Sequence, residues 1–168
     1  MNIFFTNRSP FACAAEHCDQ HVIKMTVETA QLLSTVIQRN LCKPIPCLYK
    51  ITHQFHPCAV WAGQSKQHFD WLLNFGFALA SEFTERYGKR HKSENIMDIC
   101  KLISQNEPLK FNYTGFTDPP KVMPHRYRLI NDTCDAYKAF ITYEKTFARW
   151  KFRNPPEWYT KPSEAPAE

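Results

Sequence analysis

The sequence predicts a single all-α domain, and three observations predict it. The chain holds only four glycines, and its twelve prolines gather at the ends and the joints, which leaves long uninterrupted segments. Apolar residues recur at helical spacing in several of those segments. Nothing alternates for long enough to make a sheet, and no internal repeat appears. A length of 168 residues with 43% hydrophobic content suits one domain with a proper core.

Four helices follow in order. A short extended start, Asn2 to Thr6, leads into a first helix from Pro10 or Phe11 to Asn40, with Pro10 suited to a first helical turn. The loop CKPIPCLYKITHQFHP is too rich in proline to be regular. A second long helix is expected from Cys58 to Tyr87, carrying Trp61, Ser65, His68, Leu72, Phe75, Leu79 and Phe83 at helical spacing, and Gly88 supplies its stop. Ser93 is a candidate cap for a third helix with Ile96, Ile99 and Ile103, ending before Pro108. Asn131 or Asp132 caps a fourth, whose stripe runs through Tyr137, Phe140, Ile141, Glu144, Phe147 and Ala148. The domain is expected to span 1–160, with residues 161–168 a disordered tail.

Composition narrows the function classes. No apolar run reaches the eighteen or so residues that cross a bilayer, and MNIFFTNRSP lacks the plan of an export signal. Seven scattered cysteines with no CxxC pair suit a reducing compartment, so a soluble, cytoplasmic, monomeric protein is expected. The net charge of +5 is uneven: YGKRHK carries Lys89 and Arg90, and KTFARWKFR carries Arg149, Lys151 and Arg153 without an acid. Basic residues among Phe147, Trp150 and Phe152 fit a polyanion with faces to stack on, which points to nucleic acid before membrane. A solvated face beside core aromatics fits the same residues equally well.

The first helix poses the sharpest question. At about 100° per residue, His17, His21, Lys24, Glu28, Gln31 and Thr35 fall within a strip roughly 80° wide. Val22, Ile23, Thr26, Ala30, Leu33 and Ile37 lie opposite. Imidazole, amine and carboxylate along one line are the groups that proton transfer and attack on an electrophilic carbon require. An i,i+4 surface pair with two idle histidines explains the same spacing as well. Metal binding is a weaker third explanation: Cys13 to His21 spans about 12 Å of helix, so His17 and His21 share an ion only if HQFHPC, with His53, His56 and Cys58, closes over them. No metal and no cofactor is expected.

Several short motifs occur together and in order. DQH at Asp19, Gln20 and His21 is followed seven residues later by Glu28; a PH step stands at Pro124 and His125; the end carries Glu144, Lys145, Arg149, Pro156, Trp158 and Tyr159. In this the chain resembles the pyrimidine dimer DNA glycosylases of the phage endonuclease V type, over most of its length and with longer loops. The resemblance implies a compact all-α fold and cleavage of a glycosidic bond in damaged DNA, followed by strand nicking. It also implies that an α-amine attacks the sugar C1′ to give an imine, with Glu28 in the position of the catalytic glutamate. An α-amine, ordinarily near 8, keeps a useful neutral fraction at neutral pH where a lysine does not. A fixed carboxylate in a low-dielectric cleft stabilises the cationic sugar.

This chain departs from that pattern at residue 2, which is Asn rather than a small hydroxylated residue, so Met1 is expected to stay. The amine then belongs to Met1, or to Asn2 if Met1 is lost, and Lys24 is the substitute nucleophile if an apolar wall lowers its pKa. The arginines that flank the family's glutamate are replaced by Val27 and Gln31. The leading expectation is a DNA N-glycosylase, with or without AP-lyase activity, acting on a damaged or modified pyrimidine. Glu28, Met1, Asn2, Lys24, His17 and His21 form its site, and Arg149, Lys151, Arg153, Trp158, Tyr159, Lys89 and Arg90 hold the nucleic acid. A nucleotide or nucleoside glycosyl hydrolase or transferase, and a non-catalytic DNA-binding module, are the alternatives.

Overall fold

The computed structural model describes residues 1–160; the expected disorder of 161–168 lies outside the described residues. Those residues form seven helices and no strand: α1 Pro10–Glu16, α2 Asp19–Asn40, α3 Pro57–Ala62, α4 Lys66–Tyr87, α5 Ser93–Asn106, α6 His125–Arg128 and α7 Thr133–Glu144. The all-α expectation holds, while the count of four is too low. No helix among the described residues is long and apolar enough to cross a membrane.

The first expected helix is two. His17 and Cys18 are extended, with ψ of 137° and 162°. No Gly or Pro marks the break; distant side chains stabilise it. The Arg86 guanidinium donates to the carbonyls of His17 at 2.7 Å and Ala15 at 3.2 Å, and the Trp150 indole donates to that of Glu16 at 3.2 Å. These are the carbonyls that a helix end leaves unpaired. Asp19 then opens α2, where an acid suits the helix dipole, and bonds Arg86 through Oδ1 at 3.1 Å and the Lys151 N–H through Oδ2 at 2.6 Å. The DQH aspartate is thus a buried joint between α2, α4 and the C-terminal segment.

The second expected helix is also divided, at Gly63 to Ser65. Ser65 is the cap of α4 rather than part of a stripe: its Oγ accepts from the His68 N–H at 3.0 Å. Gly88 ends α4 as expected, in the left-handed region at φ 67°. Ser93 begins α5 without capping it and instead shares a 2.9 Å hydrogen bond with the Tyr49 hydroxyl. Asp132 caps α7 by accepting from the Asp135 N–H at 3.0 Å. That helix ends at Glu144, so Phe147 and Ala148 lie beyond it.

The layers are fixed by α4, which packs on α1, α2 and α5, while α2 also meets α3 and α5. Their contact is close at Gly76, where a Cβ would overlap the Met97 sulfur and stand 2.9 Å from Thr29 Cγ2. Phe69, Leu72, Phe75 and Leu79 of α4 and Met25, Leu32, Leu33 and Ile37 of α2 are fully buried. Ile3, Phe4 and Phe5 are buried with them, so the extended start is a core element rather than a lead-in. Burying each such side chain contributes about 1.5–3 kcal/mol.

Candidate active site around Glu28

The polar stripe of α2 is a rail on which other segments are fastened. Near its end, Thr35 Oγ1 accepts from the Thr52 N–H at 3.2 Å, Gln38 Nε2 donates to the Tyr49 carbonyl at 2.8 Å, and Arg39 donates to the Gln54 carbonyl at 2.8 Å. At its start, His21 stacks on Phe4 at 4.2 Å between ring centroids and meets the edge of Phe147 at 5.5 Å. At its middle, Glu28 Oε2 accepts from the Asn2 backbone N–H at 3.0 Å. The line is therefore mostly covered. Opposite it, Val22, Thr26, Ala30, Leu33 and Ile37 are buried as expected, but Ile23 is exposed.

Glu28 keeps 12% of its side chain accessible, and Asn2 of the amino end is bonded to it. The Asn2 side chain fixes the backbone there: Nδ2 donates to the Val122 carbonyl at 2.7 Å, and Oδ1 accepts from the Ile3 N–H at 2.8 Å. The Tyr137 hydroxyl lies 2.8 Å from Asn2 Oδ1 and 2.7 Å from the Pro120 carbonyl, with one proton to serve both, and accepts from the Val122 N–H at 3.2 Å. Burial pushes the Tyr137 phenol upward, so it stays a neutral clamp. Phe4 then turns the chain through a left-handed φ of 55°, a conformation that costs a residue with Cβ about 1–2 kcal/mol. Strain of this kind gathers where surrounding structure dictates the backbone.

His17 and His21 do not face an open cleft with Glu28. The helix break removes His17 from the stripe, and both rings are buried. His17 Nδ1 is 2.7 Å from the Cys13 carbonyl, so this nitrogen carries the proton, and burial holds the ring down to about 4. His21 Nδ1 has no hydrogen-bond partner, and burial, then His17 and Lys145, hold it down to about 3. Neutral at pH 7 and enclosed, neither is placed as a proton donor. Lys24 is placed differently again: its ammonium is 3.6 Å from Glu28 Oε1, but its side chain is 71% exposed, so the apolar wall that would make it a nucleophile is absent.

In the proline-rich loop, His56 is half-buried and caps α3, its Nδ1 accepting from the Cys58 N–H at 3.2 Å, and burial holds its ring below the usual histidine range. The HQFHPC segment does not close over His17 and His21. His53 Nδ1 is 2.7 Å from its neighbour's Thr52 Oγ1, and no group of three His, Cys, Asp or Glu among the described residues is placed to hold a metal ion.

The expected nucleic-acid residues divide. Arg153 is tied to Glu82 at 2.6 Å, and Arg90 to Glu94 at 3.2 Å and Asp98 at 2.6 Å. Lys89, Arg149 and Lys151 are exposed, and their side-chain cations have no carboxylate partner among the described residues. Trp158 packs against the core, and Tyr159 lies on Trp150 at 4.4 Å, so this pair closes the body rather than standing free. Of the EK step, Glu144 binds Arg126 and the Tyr127 hydroxyl, while the Lys145 ammonium lies over the rings of Phe140 at 4.7 Å and Phe4 at 5.5 Å. Burial, then Lys24, holds Lys145 below the usual lysine range. A cavity of about 740 Å³ bordered by Arg39, Gln64, Asn112 and Tyr113 lies toward the far end of α2, about 16 Å along the helix from Glu28. Compared with protein-family models, curated proteins and solved structures, the chain matches none.

Proposed function

We propose that this chain is a DNA N-glycosylase with an associated AP-lyase step, acting on a damaged or modified pyrimidine, with an amine at its amino end as nucleophile and Glu28 as the stabilising anion. The observation that carries this is the 3.0 Å contact between the Asn2 nitrogen and Glu28 Oε2 across 26 residues of sequence. With Met1 retained, the amine stands one residue beyond that contact; with Met1 removed, it is the contacting nitrogen itself. The contact sets the amino end beside a largely enclosed carboxylate that the Lys24 ammonium approaches from the solvent side. The pair provides a nucleophile for C1′ and a negative charge for the cationic sugar and iminium that follow. Phosphates can rest on the exposed side chains of Lys89, Arg149 and Lys151, which have no ion-pair partner among the described residues.

The test is to incubate the full chain with ultraviolet-irradiated and enzymatically modified duplex DNA, with and without borohydride, and to follow released base, nicked strand and covalent adduct. Peptide mapping of the adduct is expected to find Met1 or Asn2 and not Lys24. Glu28→Gln is expected to slow base release by about 100-fold or more. No base release from any of these DNAs, or full activity in Glu28→Gln, overturns the proposal.

The internal pairing of Arg90 and Arg153 favours a second reading, glycosyl hydrolysis or transfer on a free nucleotide at the same site. It is separated by salt, since activity on a free nucleotide survives an ionic strength at which duplex binding has weakened steeply.

A further inference from the structure

The cavity of about 740 Å³ at the far end of α2 is bounded by the segment from Lys110 to Thr117, which is fastened to α2 and to the start of α4. Asn40 grips one end of it: Nδ2 donates to the Lys110 carbonyl at 2.6 Å, and Oδ1 accepts from the Lys110 N–H at 2.9 Å. Farther along, the Tyr113 N–H donates to the Gln64 carbonyl at 3.0 Å, Ser65 Oγ donates to the Gly115 carbonyl at 2.8 Å, and the Thr117 N–H donates to His68 Nε2 at 3.0 Å. Gly115, at φ 120°, leaves room for the Tyr113 ring, whose hydroxyl a Cβ there would approach to 3.1 Å. The space is therefore shaped before any ligand arrives.

Val36, Ala59, Val60 and Gly63 make its apolar side. Tyr113, about half exposed, is the outermost ring of a column: it lies 6.0 Å from His68, which in turn stacks flat on Trp61 at 4.4 Å. Arg39, Gln64 and Asn112 supply the polar side. The Arg39 guanidinium is steadied by Nη1 donating to the Gln54 carbonyl at 2.8 Å and by the Phe55 ring 5.9 Å away, and it has no carboxylate partner among the described residues. The amides of Gln64 and Asn112 are exposed and make no side-chain hydrogen bond among the described residues. No Asp or Glu borders the cavity, so a metal ion or a basic ligand finds nothing to pair with. A cation, two open amides and a ring beside an apolar side match a planar molecule with polar edges and an anionic group at one end. The volume lies within the range of about 300–1,000 Å³ usual for small-molecule sites.

We propose that this cavity binds a nucleoside monophosphate, with its phosphate on Arg39, its base against Tyr113 and the edge of that base read by Gln64 and Asn112. Arginine forks onto phosphate oxygens, amides present the paired donor and acceptor that a base edge complements, and tyrosine offers a face on which any base stacks. Arg39 shares the line of α2 that carries Glu28, eleven residues on and about 16 Å away. The nucleotide held here is therefore not one that reacts at Glu28, and the site does not rest on the glycosylase reading. It comes free from solution or as the 5′-phosphorylated end of a single strand, whose terminal unit has the same chemistry.

Calorimetric titration of the full chain with nucleoside monophosphates, the matching nucleosides, inorganic phosphate and benzoate tests this. At least one nucleoside monophosphate is expected to bind about tenfold or more tighter than its nucleoside, phosphate or benzoate, and to weaken as salt rises. Arg39→Gln is expected to weaken the nucleotide by about tenfold or more and leave the nucleoside unchanged, whereas Tyr113→Leu weakens both by about fivefold or more. Gly63→Leu is expected to abolish binding with the circular dichroism of the fold preserved, because a Cβ there meets atoms of Ala59, Val36 and Val60 only at 3.6 to 3.7 Å and the longer side chain fills the space. A 5′-phosphorylated single strand that outcompetes the free nucleotide identifies a strand end as the occupant; a strand that does not compete identifies the free nucleotide. No binding of any nucleoside monophosphate, equal binding of phosphate or benzoate, or nucleotide binding untouched by Arg39→Gln and Tyr113→Leu overturns the assignment.

Discussion

Lowering the pH from about 7.5 to about 5 destabilises this protein through two histidines that it buries neutral. In the unfolded chain each takes up a proton near the ordinary 6.5; in the folded chain burial delays this to about 4 for His17 and about 3 for His21. The unfolded state therefore binds more protons throughout that window, so folding stability is full above about 6.5 and is lost as pH falls below it. Each pH unit costs about 1.4 kcal/mol per group, so the drop from 6.5 to about 5 costs about 2 kcal/mol for each and about 4 kcal/mol for the pair. That is a large share of the 5–15 kcal/mol by which domains are ordinarily stable. His56, His68 and His91, each also held low by burial, act in the same direction. Urea melts followed by circular dichroism across this range measure the slope. His21→Phe isolates one contribution, because His21 Nδ1 bonds nothing and its ring already lies between Phe4 and Phe147. The variant is expected to fold at neutral pH and to lose about 2 kcal/mol less on acidification. A total change under about 1 kcal/mol, or an unaltered slope in His21→Phe, refutes the enclosed, uncharged state of these rings.

Two further substitutions probe the frame. Gly76→Ala is expected to cost about 1–3 kcal/mol in urea melts, because Met97 and Thr29 must give way together at the crossing of α2, α4 and α5; a neutral outcome would mean that this crossing is looser than described. Asp19→Asn is expected to cost about 3–5 kcal/mol and to raise protease sensitivity at Arg149 and Lys151, since it strips Arg86 of one carboxylate in a buried setting. A cost under about 1 kcal/mol would show that Glu82, 2.8 Å from Arg86, suffices alone.

Local chemistry made much of this fold legible. Pro10, Gly88 and Asp132 mark helix ends where they stand, because a first-turn ring, a left-handed residue and an acid accepting a backbone N–H act within a few residues. Ser65 was equally local, but its neighbours' helical spacing masked the cap. The break at His17 was not legible: the side chain that holds it belongs to Arg86, 69 residues away. The same distance effect hid the burial of His21, which Phe4 and Phe147 cover from opposite ends of the chain. Glu28 was found by its place seven residues after DQH and on the polar stripe, and the amino end does meet it. The α3 cap at His56 was not legible either, since nothing in a proline-rich loop announces the left-handed residue at 53 that precedes it.

Fastening so many parts to one line of α2 has a consequence for how the molecule assembles. The amino end, the segment from Tyr49 to Gln54 and the aromatic contact with Phe147 register against the same row of side chains, so turning α2 by a single position would unseat all three together. The three attachments are therefore expected to be lost together, and hydrogen exchange at the Asn2 N–H reads that joint release.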